Sequence, residues 1–470
     1  MPEMIKKLLI FLVISGLCLS AFFIRLENFK KPTPRTTDEI VYYIMARQMA
    51  VNFFDYNATN YALYEMVAHQ KKYPPYFKDP LFKHPPLFTL MVLGSVKMYG
   101  PTALGAGFVP LLFGALAISL VYFMGKLAAG RVVGVLSAGL MWIDPAAIMS
   151  SQKVWMDAPL MFFMLLTVYG YWRAVRKKED SFFLIGGLAA GTACMIKYPG
   201  ILTLFAVVIF FLLMEPRVFK NRYFQWSLTL PLVMAVPWIW WNYLIYGGDF
   251  IFRQIKAHEF GSIFSPIILF PAGVFTAGGF LCWCMTRNAD ALQQKTKALI
   301  QSKGIRYVKY AGFAGAIIFA LRQANVSLDF FTLPYVSWQQ NIFAGEPGWF
   351  YLQRLLEYSF VYLFAYLAFF DPFFKGSKDL LLIKMNVFFI LIFFVALRNF
   401  QCRYILPALP FLMILASDYI VKLFKKAAAV EYVYLRMFLQ AALLVLIVFA
   451  LSKTFVINQE ISFTNDMCYF

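Results

Sequence analysis

Long apolar runs separated by short polar segments dominate this chain. Of its 470 residues, 61% are hydrophobic and only 14% are charged, too few polar side chains to cover a soluble protein of this length. A helix needs about 20 consecutive apolar residues to cross a bilayer. The pattern therefore predicts an all-α polytopic membrane protein with about 13 transmembrane helices, at residues 8–25, 104–124, 132–149, 158–172, 182–196, 201–214, 224–246, 264–283, 308–321, 355–370, 380–397, 404–421 and 437–456.

The basic residues explain the orientation of these spans. A formal net charge of +19 would suit a nucleic-acid-binding protein, but the lysines and arginines form short clusters between the apolar runs, as cytoplasmic loops do. We therefore expect no nucleic acid, a cytoplasmic N-terminus and an external C-terminus. The clusters lie at residues 6–7, 126–131, 173–178, 217–222, 287–309, 375–384 and 422–436.

Two apolar segments each permit more than one membrane arrangement. The first run, 8–25, suits either a cleaved signal peptide or a first transmembrane helix; only an uncleaved helix keeps every basic cluster on one side. The run 87–98 is short for a span and follows two prolines, which indicates a helix lying in the interface. The result is one transmembrane domain over 1–457, with a large external loop at 27–101 that holds interfacial helices, and a short external tail at 458–470.

Acidic residues mark two places on the predicted outer face. Asp38 and Glu39 follow Thr37 just after the first span. They fit a capped helix N-terminus, or a general base that removes the proton of an attacking hydroxyl. Asp157 lies at the outer end of a span, and ionisable residues so close to hydrocarbon usually serve a function. We take all three as candidate catalytic residues.

Basic residues occur on the same predicted face. Lys83 precedes two prolines that fix the backbone, Lys197 precedes Tyr198-Pro199, and Arg403 opens a short apolar segment. Lysines and arginines at headgroup depth commonly anchor a protein to lipid. Together with two acidic sites, however, they suit a reaction in which a lipid phosphate is held and then stabilised as a leaving group.

The order of these motifs resembles GT-C membrane glycosyltransferases, in particular the branch of protein O-mannosyltransferases and the lipid A aminoarabinose transferase. The motifs are Asp38-Glu39, Lys83-His84-Pro85-Pro86-Leu87, Trp155-Met156-Asp157-Ala158-Pro159-Leu160, Gly348-Trp349-Phe350-Tyr351-Leu352 and Arg403-Tyr404-Ile405-Leu406-Pro407-Ala408-Leu409-Pro410. The resemblance implies a GT-C fold and inverting transfer from a polyprenyl-phosphate sugar to a lipid, glycan or protein acceptor. It also implies that Asp38 is the base and that Asp157 belongs to a second acidic site.

Donor-phosphate binding is expected from Lys83, Lys197, Arg403 and Tyr351. His84 stands between Lys83 and the prolines, unlike the family pattern, and the short tail leaves the acceptor unassigned. No close spacing of ligands defines a metal site, and the branch that the chain resembles is generally metal-independent. The resemblance therefore implies no metal, and we expect no other cofactor. The expected location is a bacterial plasma (inner) membrane, with the site facing the periplasm or the exterior.

The sequence leaves open one possible disulfide and two alternative functions. Cys402 and Cys468 are both predicted to be external and would be able to pair in an oxidising compartment. A glycolipid flippase is an alternative function, although it would require charges deep within the spans. A membrane scaffold without activity ranks last, because it leaves the order of the motifs unexplained.

Overall fold

The computed structural model describes residues 3–29, 37–57, 84–249, 302–330, 350–374, 377–396 and 402–464, with two isolated positions at 294 and 298. These residues form α-helices joined by turns and short 3-10 segments, and no β-strand is found among them. The helices are α1 Glu3–Phe29, α2 Thr37–Val51, α3 Leu87–Tyr99, α4 Ala103–Ala129, α5 Arg131–Ile143, α6 Pro145–Ser151, α7 Asp157–Lys177, α8 Ser181–Ile196, α9 Leu202–Met214, α10 Arg222–Tyr246, α11 Lys303–Phe330, α12 Phe350–Tyr358, α13 Val361–Phe370, α14 Lys378–Ala396, α15 Leu409–Ala428 and α16 Val433–Thr464.

Helices cover every predicted span that falls within the described residues, whereas the predicted span 264–283 lies outside them. Seven helical segments in the described part are long and apolar enough to cross a membrane, or eight if α5 and α6 count as one bent span. The protein is therefore an integral, multi-pass membrane protein. The figure of 13 spans and their orientation stay predictions.

One predicted span, 132–149, consists of two helices. The axes of α5 and α6 meet at 61°, and the break lies at Asp144-Pro145. Proline has no N–H and fits the first position of a new helix. The Asp144 carboxylate accepts a hydrogen bond from Ala147 N at 2.9 Å and so caps α6. The span predicted at 355–370 is similarly divided, between α12 and α13.

Two helices, α2 and α3, lie in the described part of the loop that is predicted to be external, and their interfacial position stays a prediction. α3 has 13 residues, which at about 1.5 Å per residue is too short to cross the hydrocarbon. It packs against α2, where the rings of Tyr42 and Phe88 meet edge to face at 5.2 Å, and against α4. This packing fixes the orientation of α2, which carries Asp38 and Glu39.

The centre of the fold is the antiparallel pair α7 and α8. Their backbones are so close that a Cβ atom built on Gly170 would lie 2.7 Å from Gly186 N. Small residues permit such close packing between helices in membranes. α7 also packs against α4 and against the 3-10 segment Cys402–Ala408. The start of α7, the end of α8 and this 3-10 segment consequently lie together.

Candidate functional site

Two predicted site residues from opposite ends of the chain form an ion pair. Asp38 lies in the first turn of α2, and Arg403 lies in the 3-10 segment Cys402–Ala408. An Arg403 Nη2–H donates to Asp38 Oδ2 at 2.5 Å across 365 residues of sequence. The guanidinium thereby orients the carboxylate through a charge-assisted hydrogen bond.

A second ion pair follows from the antiparallel packing of α7 and α8. Asp157 is the first residue of α7, and Lys197 directly follows the last residue of α8. The end of one helix therefore lies beside the start of the other. Lys197 Nζ donates to Asp157 Oδ1 at 3.1 Å. Asp157 Oδ2 is buried and has no hydrogen-bond partner within the described residues.

Aromatic rings join the two pairs. Lys197 Nζ lies 4.3 Å from the centre of the Tyr404 ring, and the Arg403 guanidinium carbon lies 4.8 Å from the ring centre of the buried Trp155. Each cation also interacts electrostatically with the carboxylate of the other pair. We call Asp38, Asp157, Lys197 and Arg403 the charge cluster.

Exposure distinguishes the members of the charge cluster. The side chain of Asp38 is 37% exposed, whereas that of Asp157 is 2% exposed. The cations Lys197 and Arg403 are about equally covered, at 10% and 11%. Burial lowers the pKa of Lys197, although the neighbouring Asp157 carboxylate acts in the opposite direction. Asp38 is thus the carboxylate of this cluster that a substrate reaches most easily.

Glu39 has a different environment from its neighbour Asp38. Its side chain is 1% exposed, and Val154 N donates to Glu39 Oε2 at 3.0 Å. Lys153 Nζ lies 3.7 Å from Glu39 Oε1, and it is also buried. Successive residues of a helix point about 100° apart. Glu39 therefore fixes the segment before α7, while Asp38 faces Arg403.

Lys83 lies outside the described residues, but the chain just after it is placed beside α2. Tyr56 Oη donates to His84 O at 3.2 Å. The imidazole of His84 lies 6.4 Å from the Tyr42 ring, between their centres. Tyr42 follows Asp38 by one helical turn. The proximity of Lys83 to the donor phosphate remains a prediction.

Tyr351 is buried in α12, at 1% exposure. Its helix packs beside the segment Cys402–Ala408, which carries Arg403. This arrangement brings Tyr351 to the neighbourhood of the charge cluster by way of its helix. Its role in binding the donor phosphate remains a prediction.

Three side chains of the site were not among the predicted residues: Tyr42, Trp155 and Tyr404. Burial raises the pKa of Tyr42 well above its usual value, so its hydroxyl remains a hydrogen-bond donor at neutral pH. The spacing of four residues from Asp38 was the available signal, because it places Tyr42 on the same helical face. Trp155 and Tyr404 flank predicted site residues, and aromatic rings accept cations on their faces.

The part of the chain that the structure describes bears on metal binding, but not on the possible disulfide. Within the described residues, no group of three or more His, Cys, Asp or Glu side chains is arranged to hold a metal ion. Cys468 and the side chain of Cys402 lie outside what the structure describes. The possible disulfide between them therefore remains untested.

Sequence comparison gives one family and a distant relative. The model of the dolichyl-phosphate-mannose-protein mannosyltransferase family matches residues 83–241, a region that contains Asp157 and Lys197. An uncharacterized protein of Aquifex aeolicus is 25% identical over 187 residues, which cover 39% of this chain and 37% of that protein.

Structural comparison extends over nearly the whole chain. The crystal structure of ArnT from Cupriavidus metallidurans bound to undecaprenyl phosphate has a TM-score of 0.54 at 13% identity, covering 97% of this chain and 75% of ArnT. The oligosaccharyltransferase AglB from Archaeoglobus fulgidus, in complex with an inhibitory peptide and a dolichol-phosphate, has a TM-score of 0.58 at 15% identity. Here the match covers 97% of this chain and 56% of AglB.

These findings confirm the resemblance inferred from the motifs. Asp38, Tyr351 and Arg403 lie outside the region that the family model matches, so only the tertiary structure relates them to Asp157 and Lys197. Over residues 83–241 the chain carries the sequence pattern of the dolichyl-phosphate-mannose-protein mannosyltransferase family, and as a whole it has the fold of the GT-C membrane glycosyltransferases.

Proposed function

We propose that this protein is an inverting glycosyltransferase that moves a sugar from a polyprenyl-phosphate donor to a lipid, glycan or protein acceptor. The observation that carries the proposal is the charge cluster, in which one accessible carboxylate lies beside two covered cations. A transfer from a lipid phosphate needs both features. The similar structures contain undecaprenyl phosphate or a dolichol-phosphate, which supports a donor of this chemical class.

Asp38 acts as the general base in this proposal. Its carboxylate takes the proton of the acceptor hydroxyl while the acceptor oxygen forms a bond to the anomeric carbon of the sugar. The bond from that carbon to the phosphate oxygen breaks on the opposite side, which inverts the configuration. Arg403 holds Asp38 in orientation throughout, at 2.5 Å.

The cations stabilise the leaving group. Negative charge builds on the phosphate oxygen as the bond to the sugar breaks, and preorganised positive groups lower the energy of that transition state. We assign this role to Lys197 and Arg403, with Lys83 and Tyr351 completing the phosphate site. The buried Oδ2 of Asp157 supports a role in accepting a hydrogen bond from a hydroxyl group of the sugar.

The membrane location follows the charge distribution. The basic clusters on the predicted inner side support a position of the charge cluster at the outer surface. We propose a bacterial plasma membrane, with the reaction on the periplasmic or exterior side. No metal is part of the proposed mechanism, so transfer is expected to continue in the presence of EDTA.

A transfer assay tests the proposal. Purified protein in lipid nanodiscs is incubated with radiolabelled polyprenyl-phosphate sugars and membrane extract as acceptor, and the products are separated by mobility. Wild-type protein is expected to transfer one of the sugars, and Asp38→Asn is expected to lose this transfer while it remains folded. Asp180→Asn is the matched control, because Asp180 is exposed and makes no capping hydrogen bond at the start of α8.

Two outcomes contradict the proposal. Full transfer by Asp38→Asn would remove Asp38 from the role of base. In sealed vesicles, movement of a labelled glycolipid across the bilayer without transfer to any acceptor would instead indicate a flippase.

A further inference from the structure

A lysine on the predicted cytoplasmic side has no direct partner among the described residues. Lys384 lies seven residues into α14, counted from Lys378, and is partly buried. Its ammonium group makes no hydrogen bond and no ion pair with any residue that the structure describes. Two further lysines, Lys309 of α11 and Lys422 of α15, act on it electrostatically and repel its charge.

The acidic residues nearby are already engaged. Asp371 and Asp418 both act on Lys384 through space. Asp418, however, forms an ion pair with Lys422 at 2.7 Å. Asp371 Oδ1 accepts hydrogen bonds from the backbone N–H groups of Phe373 and Phe374 at 2.9 and 3.1 Å. Within the part of the chain that the structure describes, no anion is therefore in direct contact with the positive charge of Lys384.

Aromatic side chains border these lysines. Phe374 lies beneath the ammonium groups of Lys422 and Lys426, which are 5.8 and 5.7 Å from its ring centre. Phe373 is 56% exposed and packs edge to face on Tyr310 of α11, with 5.9 Å between the ring centres. Tyrosine and tryptophan concentrate where a membrane protein crosses the headgroup region. The ring of Tyr310, together with the predicted cytoplasmic basic cluster at 375–384, supports a position of these lysines near the lipid headgroups.

We propose that Lys384, Lys309 and Lys422 form a binding site for the phosphate group of an anionic phospholipid in the cytoplasmic leaflet. A partly desolvated ammonium group needs a counter-charge. Lysine binds phosphate as a compact point charge, and basic pockets between transmembrane helices on the cytoplasmic side bind anionic headgroups. An anionic phospholipid satisfies Lys384 from the bilayer, while its acyl chains lie against the aromatic side chains. This site is separate from the charge cluster and does not depend on the proposed reaction.

Lipid binding to the purified protein tests this site. Native mass spectrometry counts phospholipids retained by the protein after exposure to phosphatidylglycerol or phosphatidylcholine, and thermal unfolding is followed in the same mixtures. Wild-type protein is expected to retain phosphatidylglycerol and to unfold at a higher temperature with it than with phosphatidylcholine. Lys384→Met is expected to bind phosphatidylglycerol about tenfold more weakly, since a charge-assisted hydrogen bond is lost.

A matched variant separates this site from general attraction between basic loops and anionic lipid. Lys220→Met removes one charge from the same predicted side of the membrane, but Lys220 is exposed and lies outside the Lys384 site. It is expected to bind phosphatidylglycerol like wild type. Without anionic lipid, Lys384→Met is expected to be at least as stable as wild type, because an unmatched charge has been removed.

Other results would overturn the proposal. Equal losses of binding in Lys384→Met and Lys220→Met would leave only nonspecific attraction. Competition by soluble glycerol 3-phosphate at the same concentration as phosphatidylglycerol would make the ligand a free phosphate ester and not a membrane lipid. A variant Lys309→Met with wild-type binding would remove α11 from the site.

Discussion

Lys197 and Asp157 form an ion pair at 3.1 Å, and both side chains are largely buried. Taking two charges out of water is costly, and removing one partner leaves the other buried without compensation. The pair joins the start of α7 to the end of α8. In the proposed phosphate site, the buried Asp157 carboxylate would fix the position of the Lys197 ammonium group.

The stability of this pair gives the first prediction. Lys197→Met is expected to lower the free energy of unfolding by about 3 kcal/mol, because Asp157 is left as a buried, unpaired carboxylate. The double variant Lys197→Met/Asp157→Leu is expected to recover most of this loss while remaining inactive in transfer. Thermal or denaturant unfolding in detergent measures both effects. A double variant no more stable than Lys197→Met would contradict the pairing.

The lowered pKa of Lys197 predicts a pH effect. Burial lowers this pKa from the ordinary value of 10.5, so the folded protein loses the proton at a lower pH than the unfolded chain. Between the two pKa values the unfolded state binds more protons, and the contribution of Lys197 to the free energy of unfolding therefore rises with pH. In the same interval, transfer is expected to fall as the phosphate site loses its charge.

The matching measurement is a pH–rate profile of transfer. Lys197→Arg keeps its proton at alkaline pH because arginine has a pKa above about 12. Its alkaline decrease in rate is expected at a higher pH than that of the wild type, whatever its maximal rate. Coincident alkaline limits in the two proteins would assign the titration to another group.

Replacement of Arg403 by lysine is expected to lower the rate of sugar transfer. The guanidinium donates to Asp38 and also lies over the Trp155 ring, at 4.8 Å from its centre. Lysine keeps the charge but loses the planar fork and the stacking. Loss of one charge-assisted hydrogen bond, about 1.5 to 3 kcal/mol, predicts that Arg403→Lys lowers kcat/KM for the donor by about 10- to 150-fold.

A control tests whether this effect is specific to Arg403. Arg222 is exposed at the start of α10, and Arg222→Lys is expected to keep wild-type kinetics. Equal activity of Arg403→Lys and wild type would show that only the charge at position 403 matters.

Glu39 is expected to affect sugar transfer only indirectly, by holding the segment before α7 in position. Glu39→Gln keeps an oxygen for the N–H of Val154 but removes the charge that faces Lys153. It is expected to lower the thermal stability and to retain measurable transfer, whereas Asp38→Asn is expected to keep stability and lose transfer. The double variant Glu39→Gln/Lys153→Met is expected to restore stability. Complete loss of transfer in a stable Glu39→Gln protein would instead make Glu39 a catalytic residue.

The positions of helices followed from the sequence with little ambiguity. Apolar runs of membrane length have few stable alternatives, because every backbone polar group in hydrocarbon must be satisfied within the helix. The short run 87–98 forms a helix of its own, α3 at Leu87–Tyr99, and its interfacial position stays a prediction. The break at Asp144-Pro145 was not predicted, although a proline inside a predicted span was visible as a signal.

The sequence did not distinguish the environment of Asp38 from that of Glu39. Both are acidic and adjacent, and both were predicted to be catalytic. Only the packing of α2 against α3, and of the segment before α7 against α2, decides that Glu39 is enclosed by Lys153 and Val154 while Asp38 remains partly exposed.

The sequence by itself determined the membrane class, the helices and the candidate charged residues, because hydrophobic length and charge pattern are local properties of the chain. The tertiary structure decided which charges pair. Asp38 and Arg403 are 365 residues apart, and no local pattern measures the distance between two such side chains. Their contact depends on how α2, α7, α8 and the segment Cys402–Ala408 pack, which is a property of the whole helical bundle.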